Sequence, residues 1–84
     1  MNGIIDCPNE GLTELPQNIT DGETYISLKQ NALLSIGDYA FSMYTQLTWL
    51  DLSSNQLSEI SSQAFNGTKI QTLILINNSI TTFP

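Results

Sequence analysis

Few residues in this chain have chemistry to offer. Cys7 is its one thiol, and there is no histidine to take a proton from it. A thiolate nucleophile needs such a base, or a cationic neighbour, to be populated at neutral pH. Glu10 and Glu14 lie four residues apart, but a carboxylate pair with no other convergent group reads as solvated charge. Calcium-loop and Cys/His zinc spacings are absent. The sequence thus gives no catalytic residue, no metal ligand and no cofactor site, and an enzyme is not expected. Recognition is better served. Trp49 and Tyr25 carry the large amphipathic surfaces that anchor interfaces. Asn18, Asn66 and Asn77 each open an Asn-x-Ser/Thr sequon without proline, which favours N-glycosylation and a secreted or extracellular chain.

Charge and hydropathy narrow the partners. Eight Asp and Glu stand against two Lys, a net charge of −6. Nucleic-acid binding requires a basic stripe, and this chain has none. An anionic membrane surface would repel it. No stretch reaches the roughly 18 apolar residues of a membrane span, so membrane insertion is not expected. Met1–Asp6 has no basic region and no long apolar run of the kind that starts a signal peptide.

The elements that must hold these residues are written as a repeat. Asn31, Asn55 and Asn78 are spaced by 24 and 23 residues. Each sits in one frame: Ile26-x-Leu28-x-x-Asn31-x-Leu33, Leu50-x-Leu52-x-x-Asn55-x-Leu57 and Leu73-x-Leu75-x-x-Asn78-x-Ile80. A further rung follows at Ile36, Ile60 and Phe83, and Ala40-Phe41 recurs as Ala64-Phe65. A period in the twenties with this frame marks a leucine-rich repeat. The fold expected is a short right-handed α/β solenoid. Its concave face carries a parallel sheet, and its convex side is extended chain and 3₁₀ turns, with little helix. Alternation in Tyr25-Ile26-Ser27-Leu28 and Trp49-Leu50-Asp51-Leu52 gives short strands with one face inward. The chain then turns sharply, which buries backbone N–H and C=O groups. An asparagine amide both donates and accepts, so Asn31, Asn55 and Asn78 are expected to form a structural ladder that satisfies them. One domain is expected, with a capping segment over 1–22 and repeats over 23–46, 47–69 and 70–84. In the cap, Leu12 and Leu15 keep the spine at a 21-residue offset from Leu33 and Ile36, and a strand at Ile5-Asp6-Cys7 closes the solenoid.

Register assigns the outward residues. Tyr25, Ser27, Lys29, Trp49, Asp51, Ser53, Thr72 and Ile74 are the expected ligand-binding set on the concave face, with Gln30, Ser54, Ile76 and Asn77 beside them. Trp49 serves there either as an anchor for a partner or as cover for neighbouring strands. The run Ile70–Ile76 is nearly all apolar. A strand buried on both faces reads this way, yet this one falls at the end of the repeats, where an apolar edge invites pairing. Leu73, Ile74, Leu75 and Ile76 are therefore expected to support a homodimer. Further repeats, or a ligand patch, would also account for them.

Cys7 followed by Gly11-Leu12-Thr13-x-Leu15-Pro16, and Leu47-Thr48-Trp49-Leu50-Asp51-Leu52-Ser53-Ser54-Asn55-Gln56-Leu57, resemble extracellular leucine-rich repeat proteins. The nearest likeness is to variable lymphocyte receptors and Toll-like receptor ectodomains, and it covers nearly the whole chain. In that family two disulfides among four cysteines usually knit the amino-terminal cap. Here only Cys7 is present, matching the last of them, and these 84 residues are not expected to include the family's cysteine-rich carboxy-terminal cap. A free thiol, an intermolecular bond and a partner elsewhere all remain open for Cys7. The resemblance implies a recognition module for a protein or a microbial surface ligand on the concave face, with an immune-like role. The alternatives are a self-associating structural or adhesive unit and an intracellular scaffold.

Overall fold

The computed structural model describes residues 4–15 and 22–81. Among these residues six short strands follow in order: β1 (Ile4–Asp6), β2 (Tyr25–Ser27), β3 (Ser35–Ile36), β4 (Trp49–Asp51), β5 (Glu59–Ile60) and β6 (Thr72–Ile74). No helix is present among the described residues. The strands β1, β2, β4 and β6 form one parallel sheet in that order, and β3 pairs with β5 in a second. Each winding adds one strand to the concave sheet, as a leucine-rich repeat solenoid requires.

Register converts the repeat into a core. Ile5, Ile26, Leu50 and Leu73 are cross-strand partners. Ile26, Leu28, Leu33, Leu50, Leu52 and Leu57 are at most 1% exposed, and Phe41, Leu47 and Ala64 close the far side. Phe41 and Phe65 stack with centroids 5.6 Å apart. The convex side is built from turns with i→i+3 bonds, such as Ser42 N–H to Tyr39 O (3.1 Å) and Thr68 N–H to Phe65 O (3.1 Å). Gly67 sits in one of these turns at φ 88°, where a side chain would be strained.

The sheet ladder runs past the strand ends. Leu28 N–H donates to Asp51 O at 2.9 Å, Gln30 N–H to Ser53 O at 3.0 Å, Leu52 N–H to Ile74 O at 2.8 Å and Ser54 N–H to Ile76 O at 2.9 Å. The chain then leaves the sheet through a left-handed corner. Asn9, Gln30, Ser54 and Asn77 have φ between 57° and 59°, a conformation that costs about 1–2 kcal/mol for a residue with a side chain.

The asparagine that follows each of the last three corners ties it to the winding before. Asn31 donates from Nδ2 to Cys7 O (2.9 Å), Leu28 O (2.9 Å) and Lys29 O (3.2 Å), and its Oδ1 accepts from Glu10 and Leu12 N–H. Asn55 donates to Leu28 O, Leu52 O and Ser53 O and accepts from Leu33 N–H at 3.1 Å. Asn78 donates to Leu52 O, Leu75 O and Ile76 O and accepts from Leu57 N–H at 3.0 Å.

Cys7 follows Asp6, the partner of Ser27, and so stands level with Leu28. It is a half-buried free thiol packed on the core, in the place that a leucine takes in later windings. At the other end Leu73, Leu75 and Ile80 are only half-buried, because no further winding lies over them among the described residues.

Removing the Asn55 amide strands buried carbonyls and an N–H in two windings at once. Asn55→Ala is expected to destabilise by about 3 kcal/mol, given that each orphaned buried group costs about 1–3 kcal/mol. Asn78→Ala, at the more exposed end, should cost about half as much. Urea unfolding monitored by Trp49 fluorescence measures both; equal or negligible losses would contradict this account of the ladder.

Candidate recognition face

The outer face of the concave sheet is built in two rows. In the first, Ile4, Tyr25, Trp49 and Thr72 are cross-strand neighbours; in the second, Asp6, Ser27, Asp51 and Ile74. Alternation along each strand sets this direction, since the residues between them, Ile5, Ile26, Leu50 and Leu73, fill the core.

Tyr25 and Trp49 stack with ring centroids 4.2 Å apart and planes 5° from parallel. Both are half-buried, so part of the pair stays open to a partner. Their strands are the two middle ones of the four, and each stands over fully buried Ile26 and Leu50. The pair is thus held by the firmest part of the sheet. Such a rigid, partly wet aromatic surface binds with little loss of side-chain entropy.

The polar residues of this face divide by depth. Lys29 and Thr72 are exposed and Ile74 is half-buried. Ser27, Asp51 and Ser53 are 2%, 8% and 8% exposed, although the alternation points them outward. Ser27 lies between two longer cross-strand neighbours, Asp6 and Asp51. Asp51 turns one carboxylate oxygen to its own chain, where Oδ1 accepts from Ser53 N–H at 2.9 Å. These three residues form a floor beneath the surface, while Tyr25, Trp49, Lys29 and Thr72 form its more accessible part.

The left-handed residues Gln30, Ser54 and Asn77 were not separable from their neighbours by type, and they edge this face. Asn77 Nδ2 donates to Ser54 Oγ at 3.4 Å. Of the sequon asparagines, Asn66 and Asn77 are exposed, and Asn18 lies outside the described residues. In the strand expected to self-associate, Leu73, Ile74 and Leu75 are half-buried and Ile76 is 67% exposed.

A shallow groove of about 440 Å³ lies on the other sheet, around Asp38, Glu59 and Ser61. The Ser61 hydroxyl donates to Asp38 Oδ1 there. It has carboxylates and small side chains but no aromatic anchor, and the concave face is the better candidate. No group of three or more metal-binding side chains is found among the described residues.

A family model described as leucine rich repeat matches residues 24–80. This chain therefore belongs to the leucine-rich repeat family, whose domains serve protein interaction. Over 95% of its length it is 35% identical to Protein halfway of Drosophila melanogaster, of which it spans 14%. It is 41% identical over 84% of its length to Leucine-rich repeats and immunoglobulin-like domains protein 2 of Mus musculus, spanning 7% of it. Leucine-rich repeat-containing G-protein coupled receptor 5A of Xenopus laevis is 35% identical over 88% of this chain, which spans 8% of that protein. The chain thus corresponds to a small part of each. No helix among the described residues is long and apolar enough to cross a membrane.

The stacked pair carries its own test. A double-mutant cycle on Tyr25→Ala and Trp49→Ala, followed by urea unfolding, should return a coupling energy of about 1 kcal/mol. Additive losses would mean that the rings merely lie side by side.

Proposed function

We propose that this chain is an extracellular recognition module that binds a protein or a microbial surface component through the concave face. The observation that carries this reading is the Tyr25–Trp49 stack, half-open on the two central strands. An interface draws most of its affinity from a few such aromatic groups near its centre. Lys29 and Thr72 supply exposed polar contacts around it, and Ile74 extends it toward β6. The role is non-enzymatic and immune-like, in keeping with the resemblance of its motifs to lymphocyte and Toll-like receptors. The likeness to part of a G-protein coupled receptor supports a place outside the cell. Export would make Asn66 and Asn77, both exposed, acceptors for N-glycans. Screening immobilised protein against bacterial surfaces and secreted proteins should yield partners whose binding falls at least about tenfold on Trp49→Ala, a typical loss for a central aromatic. Circular dichroism verifies that the variant is folded. Partners that all bind the variant unchanged would refute the concave-face reading.

A second reading is favoured by Ile76, which is 67% exposed beside the half-buried Leu73, Ile74 and Leu75. These residues give β6 an apolar edge suited to pairing with a second copy as a two-fold dimer. Sedimentation at high micromolar concentration should find a dimer that Ile76→Lys converts to monomer. A wild-type monomer under those conditions would dismiss self-association.

A further inference from the structure

The floor of the concave face suggests the chemistry of the partner. Ser27 is 2% exposed, and its hydroxyl finds no hydrogen-bond partner within the chain. A buried polar group in that condition costs about 1–3 kcal/mol until a partner is supplied. Its two cross-strand neighbours in the outward row are the carboxylates Asp6 and Asp51. Adjacent strands lie about 4.8 Å apart, so the two acids stand about 10 Å apart at their backbones with the small serine between them. Immediately along the strands, on the same face, is the stacked wall of Tyr25 and Trp49. Among the described residues, Lys29 lies two residues beyond Ser27 and is exposed to solvent. The chain as a whole carries a net charge of −6.

From this geometry, and resting on the concave-face reading above, we infer that the row Asp6–Ser27–Asp51 with the Tyr25–Trp49 wall is a subsite for an arginine side chain of a protein partner. The stack turns ring edges toward this row, so the rings bound the subsite on one side, and the choice of a guanidinium rests on its planar fork. Its fork of N–H donors can engage carboxylates on two sides and leave one donor for a hydroxyl acceptor. Asp51 keeps an oxygen for this purpose, because the bond from Ser53 N–H engages Oδ1. A neutral polar side chain would leave the acids uncompensated. A lysine ammonium would supply charge without the planar fork.

Trp49 is the sole tryptophan, so its emission reports this subsite alone. Titration with acetyl-Gly-Arg-Gly-amide should change that emission in a saturable, salt-sensitive manner. The isosteric citrulline peptide should bind at least about tenfold more weakly, since it keeps the shape and loses the charge. Asp6→Asn and Asp51→Asn should each weaken the arginine peptide severalfold without altering the unfolding curve. The Asp51→Asn side chain retains Oδ1 for the Ser53 N–H, and Asp6 is exposed. Equal responses to arginine and citrulline, no response to either, or an arginine response untouched by both asparagine variants would overturn the subsite. A protein partner lost on Trp49→Ala but indifferent to Asp6→Asn and Asp51→Asn would leave the recognition face standing and remove the arginine assignment alone.

Discussion

The asparagine amide between consecutive windings is the constraint on which the rest depends. A solenoid has to turn out of its sheet once per winding, and the turn here passes through a left-handed corner at Gln30, Ser54 and Asn77. That corner is intrinsically unfavourable for residues other than glycine. It also leaves backbone groups facing the interior, where water cannot reach them. One side chain meets both difficulties. From Asn55, Nδ2 gathers the carbonyls of Leu52 and Ser53 in its own corner and that of Leu28 in the winding before, while Oδ1 receives Leu33 N–H. Aspartate could not donate to the carbonyls, and leucine could do neither. Every ladder asparagine binds backward to the preceding winding, so the corners are locked in sequence and each depends on the one before.

That one-way locking sets where a binding surface can be firm. The two central strands have a winding on both sides, and the rungs beneath them, Ile26, Leu28, Leu50 and Leu52, are fully buried. Beneath β6 the equivalent Leu73 and Leu75 are half-open. A side chain on β2 or β4 therefore rests on a close-packed base, and one on β6 does not. The chain places both large aromatic residues of the sheet, Tyr25 and Trp49, on the firm strands. A ligand group meeting them, as proposed, would find the geometry already made, so less of the contact energy would go into ordering the site.

How much of this was legible from the sequence follows from what each signal encodes. The inward rungs and the asparagine recur in type as well as spacing, because only an apolar side chain fits the core and only a donor–acceptor amide fits the corner. The solenoid and its parallel sheet could therefore be read directly. Alternation set the expected direction of Ser27, Asp51 and Ser53, but direction is not depth. Their burial depends on the length of neighbours a whole winding away, Asp6 and Asp51 for Ser27, and that pairing exists only once register is fixed. The left-handed residues escaped for another reason. Gln30, Ser54 and Asn77 are all uncharged and polar, a character too common on this chain's surface to mark them, and the asparagine after each one compensates the corner in their place. Likewise the pairing of β3 with β5 involves two residues on each side, too few to leave a pattern. Cys7 stood out as a lone cysteine, yet its register puts it level with the leucine rungs, where its thiol serves as a small apolar filler.

Depth then separates affinity from specificity on the concave face. On the proposed reading the aromatic pair would be desolvated first, and burying it is favourable for almost any apolar or planar group. Such a surface alone would be promiscuous. Of the acids flanking Ser27, Asp6 is exposed and Asp51 is largely withdrawn from water. Charge in that position interacts more strongly than at the surface because less solvent screens it. It also penalises a mismatched group more severely, since nothing replaces the lost hydration. On the proposed reading, an aromatic edge beside a buried acid would attract broadly and admit narrowly. Both halves come from the same pleat: one row of outward residues carries the rings, and the next, two residues along, carries the carboxylates.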